Sequence, residues 1–535
     1  MRTRKVPPPL VPDPPYWPLG HRFTLLVVFA SVLMVAPLWA VRDLPMVDMP
    51  QHLYVLDVLA RLGDPATAYG DWFVGGFRAT PYIAYYGAVH TLDALLPLEV
   101  ANKLFLTFVV LGWPTSIALL LYALDRPMWP ALLASAFLYS DSFGWGFVNT
   151  LAGVPLATAA LACFTLLLRD RGSRILLWCA AAGLGLATLA MHPVPLLIIA
   201  AGTLIVPVAL SGEPGRRAPL FRRVLIACSA WLPAVVLGIA WLSSRVASGG
   251  GLGSGAQPHE TIAANLSAFP WLLGNLMRDG SQAWAILGAA VVFALTLVWS
   301  MFGRAERNAG PSGAAWVFPL LALSTLGAFF AMPLSLQPDI QYLSPRFAPI
   351  AAAFIAAAVP RVGRLGRTLL PAIALSVPLL AGIAAYNGFL RFDSEAAALH
   401  RLASRLPPRS RILSLALAPG SATIHHPVFL HGAATLARLT GGVPSYNLAG
   451  WSQSPIHWKG APLIGTATEW DVAHFDFAAH GRDYDAILLR GGDPSMVPES
   501  WAESVDRSLL RDGMFTLLLR HAPRSDSIPM RHEAP

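Results

Sequence analysis

Asp48 and His52 stand one helical turn apart in the stretch Val47, Asp48, Met49, Pro50, Gln51, His52. Pro50 suits the first turn of a helix, because the amide it lacks would go unbonded there anyway. Asp48 then falls near the N-cap, where free amides and the helix dipole favour a carboxylate. A carboxylate and an imidazole so placed can serve as an acid and base pair. The same spacing is equally met by an aspartate that only caps and a histidine on an interfacial face. Asp43 emerges just before them, directly from the first apolar run.

Whatever these residues do, a membrane must hold them. Of 535 residues, 55% are hydrophobic and 13% charged, with a mean hydropathy of +0.54, which is too apolar for a soluble chain of this length. A spanning helix needs about 20 mainly apolar residues, and such windows recur from Phe23 to Ala385. About eleven spans are expected, at 23–41, 100–123, 128–141, 146–168, 174–191, 194–210, 224–242, 283–302, 314–334, 347–360 and 368–388. The first run ends in Trp39, Ala40, Val41, Arg42 and Asp43, without a small-residue cleavage site, and reads as an uncleaved first helix.

With a cytoplasmic N-terminus, the basic clusters at 125–126, 169–174, 216–223, 304–307 and 361–367 fall on the cytoplasmic face, as the positive-inside bias requires. Dropping one span would scatter them over both faces. Orientation thereby accounts for the net charge of +8, and no nucleic-acid partner is implied. The opposite face receives the long first loop 42–99, a turn at 140–145, the junction Met191, His192, Pro193, the Gly-rich loop 243–282, the segment 337–346 and everything after Arg391. Function is expected there, since loops carry chemistry more often than scaffolds do.

The fold class expected is an all-α polytopic membrane bundle over 1–390 with a small C-terminal soluble α/β domain over 391–524 and a disordered tail at 525–535. Strands are expected at 411–417, 484–490 and 514–520, with helices at 467–480 and 499–511. Cys163, Cys179 and Cys228 lie inside apolar windows and read as small buried hydrophobes. His425, His426 and His431 lack accompanying cysteines or a His-Glu-x-x-His pattern, so no metal site is expected among them.

A first helix, a long extracytoplasmic loop opening on an acidic motif, many further helices and an outer soluble domain together resemble the GT-C class of integral membrane glycosyltransferases. These enzymes take a sugar from a polyprenyl-phosphate carrier. The stretch from Val47 to His52 looks like the acidic first-loop motif of that class, which implies that Asp48 is the catalytic or metal-associated carboxylate. Ser344, Pro345, Arg346 and Phe347 look like its Arg-aromatic motif near the carrier phosphate. The planar fork of Arg346 suits phosphate oxygens better than a lysine would, although an arginine at headgroup depth also serves as a snorkelling anchor. Asp43 and Asp48 are too far apart to form the tight Asp-x-Asp pair of some members, which leaves a divalent cation (Mg or Mn) open.

The activity so implied is transfer of a sugar from a polyprenyl-phosphate donor to an extracytoplasmic lipid, glycan or protein acceptor, in the cytoplasmic membrane. Asp48 and His52 are the catalytic candidates and Arg346 the phosphate ligand, with Asp43, Asp141, His192, Asp339 and Tyr342 as candidates for contacting the substrate. Asp141, His192, Asp339 and Tyr342 also have a plain reading as a turn, a junction or loop polarity. The rivals are a transporter or flippase of a lipid-linked or anionic substrate, and a non-catalytic membrane assembly protein. Transporters place ionisable groups near the midplane in related halves, whereas the acidic residues here gather in outer loops and no internal repeat is visible.

Overall fold

The computed structural model describes residues 20–211, 217–247, 255–256, 259–302, 313–337, 341–360, 362, 364–463, 469, 472, 475–498, 501 and 507–520. Asp339 and the tail 525–535 lie outside them.

Among the described residues, seven helices are long and apolar enough to cross a membrane: Leu98–Ala123, Val148–Leu168, Arg174–Met191, Phe221–Ser244, Ala283–Met301, Gly313–Ala331 and Thr368–Ala403. Shorter apolar helices accompany them at Val27–Ala40, Leu196–Ser211, Ile262–Gly274 and Ser344–Ala357. The chain is thus a multi-pass membrane protein, although the count of eleven spans is not confirmed. The expected span 128–141 is a 3-10 helix, Trp129–Phe137, buried along its whole length. At about 2 Å per residue it is too short to cross, and its apolar side chains face protein instead of lipid. Helix Ile262–Gly274 lies where only a Gly-rich loop was expected.

Val148–Leu168 is the centre of the bundle: 89% of its most apolar window is buried, against 22% for Phe221–Ser244 on the outside. It packs between Leu98–Ala123 and Arg174–Met191. The first helix, Gly20–Ala40, packs on Ser376–Ala403, the second part of the last one. Gly382 permits that approach, since a Cβ there would sit 2.6 Å from the carbonyl oxygen of Leu33. Ser376–Ala403 runs unbroken through Arg391 and carries the chain out of the bundle into the C-terminal domain.

That domain is built on a five-stranded sheet in the order Val443–Pro444, Arg411–Leu415, Ala486–Arg490, Phe515–Arg520, Arg507–Asp512. The first three strands run parallel and the last two antiparallel. Strands appear at all three expected places, but Arg507–Asp512 is a strand where a helix was expected. The turn at Gly513, with φ of 57°, folds it back on Phe515–Arg520 as a hairpin, and that pairing outweighs local helical pattern.

The domain grips the first loop. Strand Phe73–Gly75 pairs antiparallel with Ile456–Trp458. On helix Met49–Arg61, Gln51 Nε2 donates to the Tyr446 carbonyl at 3.0 Å and Tyr54 Oη to the Gly442 carbonyl at 2.9 Å. Domain and loop therefore form one cap over one end of the bundle. At the other end of Val148–Leu168, Asp125 and Asp170 form an ion-paired group with Arg169, Arg171, Arg174 and Arg223.

Candidate active site

Helix Met49–Arg61 starts as its sequence dictates, with Pro50 in the first turn and Asp48 at the N-cap. The Asp48 side chain makes no cap hydrogen bond and is 33% exposed, so its carboxylate is free to face outward. Its backbone is pinned by the loop 141–147: Val47 N donates to the Gly144 carbonyl at 2.9 Å and Asp48 N to the Trp145 carbonyl at 3.1 Å. Gly146, at φ of 85°, lies against Asp48, where a Cβ would meet the Asp48 backbone nitrogen at 3.1 Å.

The same loop leads to Arg346. Trp145 stacks on Tyr342, with ring centroids 4.6 Å apart, and lies parallel to Phe147. The guanidinium of Arg346 sits 3.6 Å over the Phe147 ring. It is buried, with Nε donating to the Tyr342 carbonyl at 3.1 Å, Nη2 to the Gln341 carbonyl at 2.7 Å and Nη1 to Thr150 Oγ1 at 2.7 Å. A second Nη1 contact, 3.3 Å long, reaches His192 Nε2. His192 Nδ1 accepts from Val194 N at 3.0 Å, so its Nε2 carries the ring hydrogen and does not accept from Arg346. Asp48 and Asp141 both lie close enough to act electrostatically on this cation.

The sequence candidates thus divide. Asp48, Asp141, Tyr342, Arg346 and His192 gather around one loop. His52 does not pair with Asp48: its Nδ1 lies 2.8 Å from Tyr86 Oη, among Tyr85 and Tyr86, and burial there lowers its pKa despite the nearby carboxylate. Asp43 turns away to His400 Nε2, 2.6 Å distant on the last helix.

Side chains from the C-terminal domain complete the site, and spacing in the sequence gave no sign of them. His426 Nε2 lies 2.9 Å from Asp141 Oδ1, edge-on to Trp145. His431 Nε2 lies 3.5 Å from Asp48 Oδ1, and its Nδ1 lies 2.5 Å from Glu469 Oε2. Each of three carboxylates here, Asp43, Asp141 and Glu469, is already taken by a histidine. Among the described residues no group of three or more His, Cys, Asp or Glu side chains is arranged to hold a metal ion.

No family model and no curated protein matches the chain. The structure is similar to the crystal structure of ArnT from Cupriavidus metallidurans bound to undecaprenyl phosphate, at a TM-score of 0.54 and 12% identity, over 94% of this chain and 98% of that one. It is also similar to the cryo-EM structure of the arabinofuranosyltransferase AftD from Mycobacteria, at a TM-score of 0.50 and 14% identity, over 94% of this chain and 40% of that one. Helical bundle, first-loop cap and C-terminal domain together have the fold of the GT-C class.

Proposed function

We propose that the protein is a membrane glycosyltransferase that moves a sugar from a polyprenyl-phosphate carrier to an extracytoplasmic lipid, glycan or protein acceptor. The observation that carries this reading is that Asp48, a partly exposed carboxylate at a helix N-cap, and the buried Arg346 are both held by the single loop 141–147. The fold shared with ArnT, a structure that holds undecaprenyl phosphate, supports the choice of donor.

In this mechanism an acceptor hydroxyl oxygen bonds to the anomeric carbon as the bond from that carbon to the carrier phosphate oxygen breaks. The electron pair of the broken bond goes to the phosphate, and the hydroxyl proton passes to Asp48. Arg346 and the polar edge of His192 lie where charge would grow on the departing phosphate. The rings of Trp145 and Tyr342 offer a face for the sugar, and the buried Ser142 Oγ within the loop and Asn149 Oδ1 just after it have no hydrogen-bond partner among the described residues. This mechanism uses no metal: among the described residues Asp43, Asp141 and Glu469 are each engaged by an imidazole.

The basic group at the far end of Val148–Leu168 supports an orientation with that end in the cytoplasm and the capped end outside, in a cytoplasmic membrane. The decisive experiment presents purified protein with a panel of polyprenyl-phosphate hexoses and pentoses and follows release of the free carrier phosphate. Wild-type protein releases it, in the presence of EDTA as well, and Asp48→Asn slows release about 100-fold or more. Full activity of Asp48→Asn would end the mechanism.

A further inference from the structure

Three histidine and carboxylate pairs join the bundle and first loop to its C-terminal extension or secure that extension, and one of them reaches the proposed base. The His431 ring is stacked on Tyr446, 5.3 Å between centroids, and is only 3% exposed. Each of its nitrogens meets a carboxylate: Nδ1 faces Glu469, which is fully buried, and Nε2 faces Asp48. A neutral imidazole has one N–H, so with both carboxylates ionised the two contacts are met only by the imidazolium. We propose that His431, braced by Glu469, is the positioning residue of Asp48: it gives the base a fixed countercharge from the C-terminal domain.

This rests on the transferase reading above and extends it. The contact sets the imidazole of the C-terminal domain beside the Asp48 carboxylate, 3.5 Å from Oδ1. Burial alone would lower the His431 pKa, but the Glu469 and Asp48 carboxylates outweigh it and raise it to about 9. The titratable groups that face the ring are Asp48 and His52 on helix Met49–Arg61, Tyr446 on its face and Glu469 at Nδ1. On the neighbouring helix Ser376–Ala403, His400 is engaged by Asp43 instead.

His431→Gln and Glu469→Gln, made in the full chain and held in lipid nanodiscs, both act on the alkaline limb of the pH–rate profile. Glu469→Gln leaves His431 easier to deprotonate and brings that limb down from near 9. His431→Gln, which has no charge to lose, abolishes that limb and lowers the rate below it about tenfold. His431→Arg, which keeps the charge, restores that rate without a limb near 9. A residue that merely packs would lower the rate at every pH with both limbs fixed, and that result overturns the proposal.

Thermal unfolding supplies a readout independent of turnover. The stability that a raised imidazole contributes is complete below pH 6.5 and disappears as pH climbs through about 9, so the deficit of Glu469→Gln relative to wild type closes over that window. A deficit constant from pH 6 to 10 overturns the countercharge. If the deficit closes but wild type turns over no donor in the panel, the countercharge stands and the transferase reading falls. Turnover in wild type with unshifted limbs in both variants has the reverse meaning.

Discussion

Arg346 is the residue whose surroundings most constrain its role. Three protein acceptors, an imidazole and an aromatic face hold it still, so its geometry is fixed before any ligand arrives. A preset guanidinium of this kind binds an anion without the cost of ordering a flexible side chain. Arg346→Lys supplies a point charge but neither the fork nor the stacking plane. Binding of polyprenyl phosphate to that variant is expected to weaken at least about tenfold while the protein stays folded, and unchanged affinity would reduce Arg346 to an anchor. Asp48 was legible as a helix N-cap because aspartate, proline and a following amphipathic run have a local physical meaning. His431 and Glu469 were not, because nothing local marks them: their role exists only once distant parts of the chain have met. His52 shows the converse, since correct spacing from Asp48 placed it against Tyr86 instead.

Among the elements, the loop 141–147 connects most of the site. Gly144 lies so close to His426 that a β-carbon would run into the imidazole ring, and its carbonyl holds Val47. Gly144→Ala is therefore expected to lower stability by about 1–3 kcal/mol and to depress transfer, as measured by denaturation and donor turnover. Gly63→Ala, with nothing within 4 Å of the added carbon, serves as the control and is expected to change neither. The sequence marked this turn by its polar residues but did not show that it binds the first loop. Composition also failed at Trp129–Phe137, where an apolar run could not say whether lipid or protein would cover it. The long helices were legible because only a sustained apolar run can satisfy the backbone inside a bilayer.

For the whole molecule, orientation is the property on which the chemistry depends. Leu95 and Leu417 are exposed at the capped end, and Arg174 is exposed at the other. In a background where Cys163, Cys179 and Cys228 are replaced by alanine, a membrane-impermeant thiol reagent applied outside is expected to label Leu95→Cys and Leu417→Cys but not Arg174→Cys. The opposite pattern would put the site in the cytosol and remove the basis for an extracytoplasmic acceptor. The alternation of basic loops is what leads the sequence to this expected orientation, and the labelling pattern tests it. The intimacy of the cap was not readable, because it rests on the pairing of Phe73–Gly75 with Ile456–Trp458. That pairing also sets a timetable for biosynthesis. A ribosome that has released the first loop has delivered a strand with no mate and an Asp48 without His431, and both wait until residues 431–458 have been made. A chain interrupted before that stretch therefore holds neither the strand pair nor the contact between His431 and Asp48.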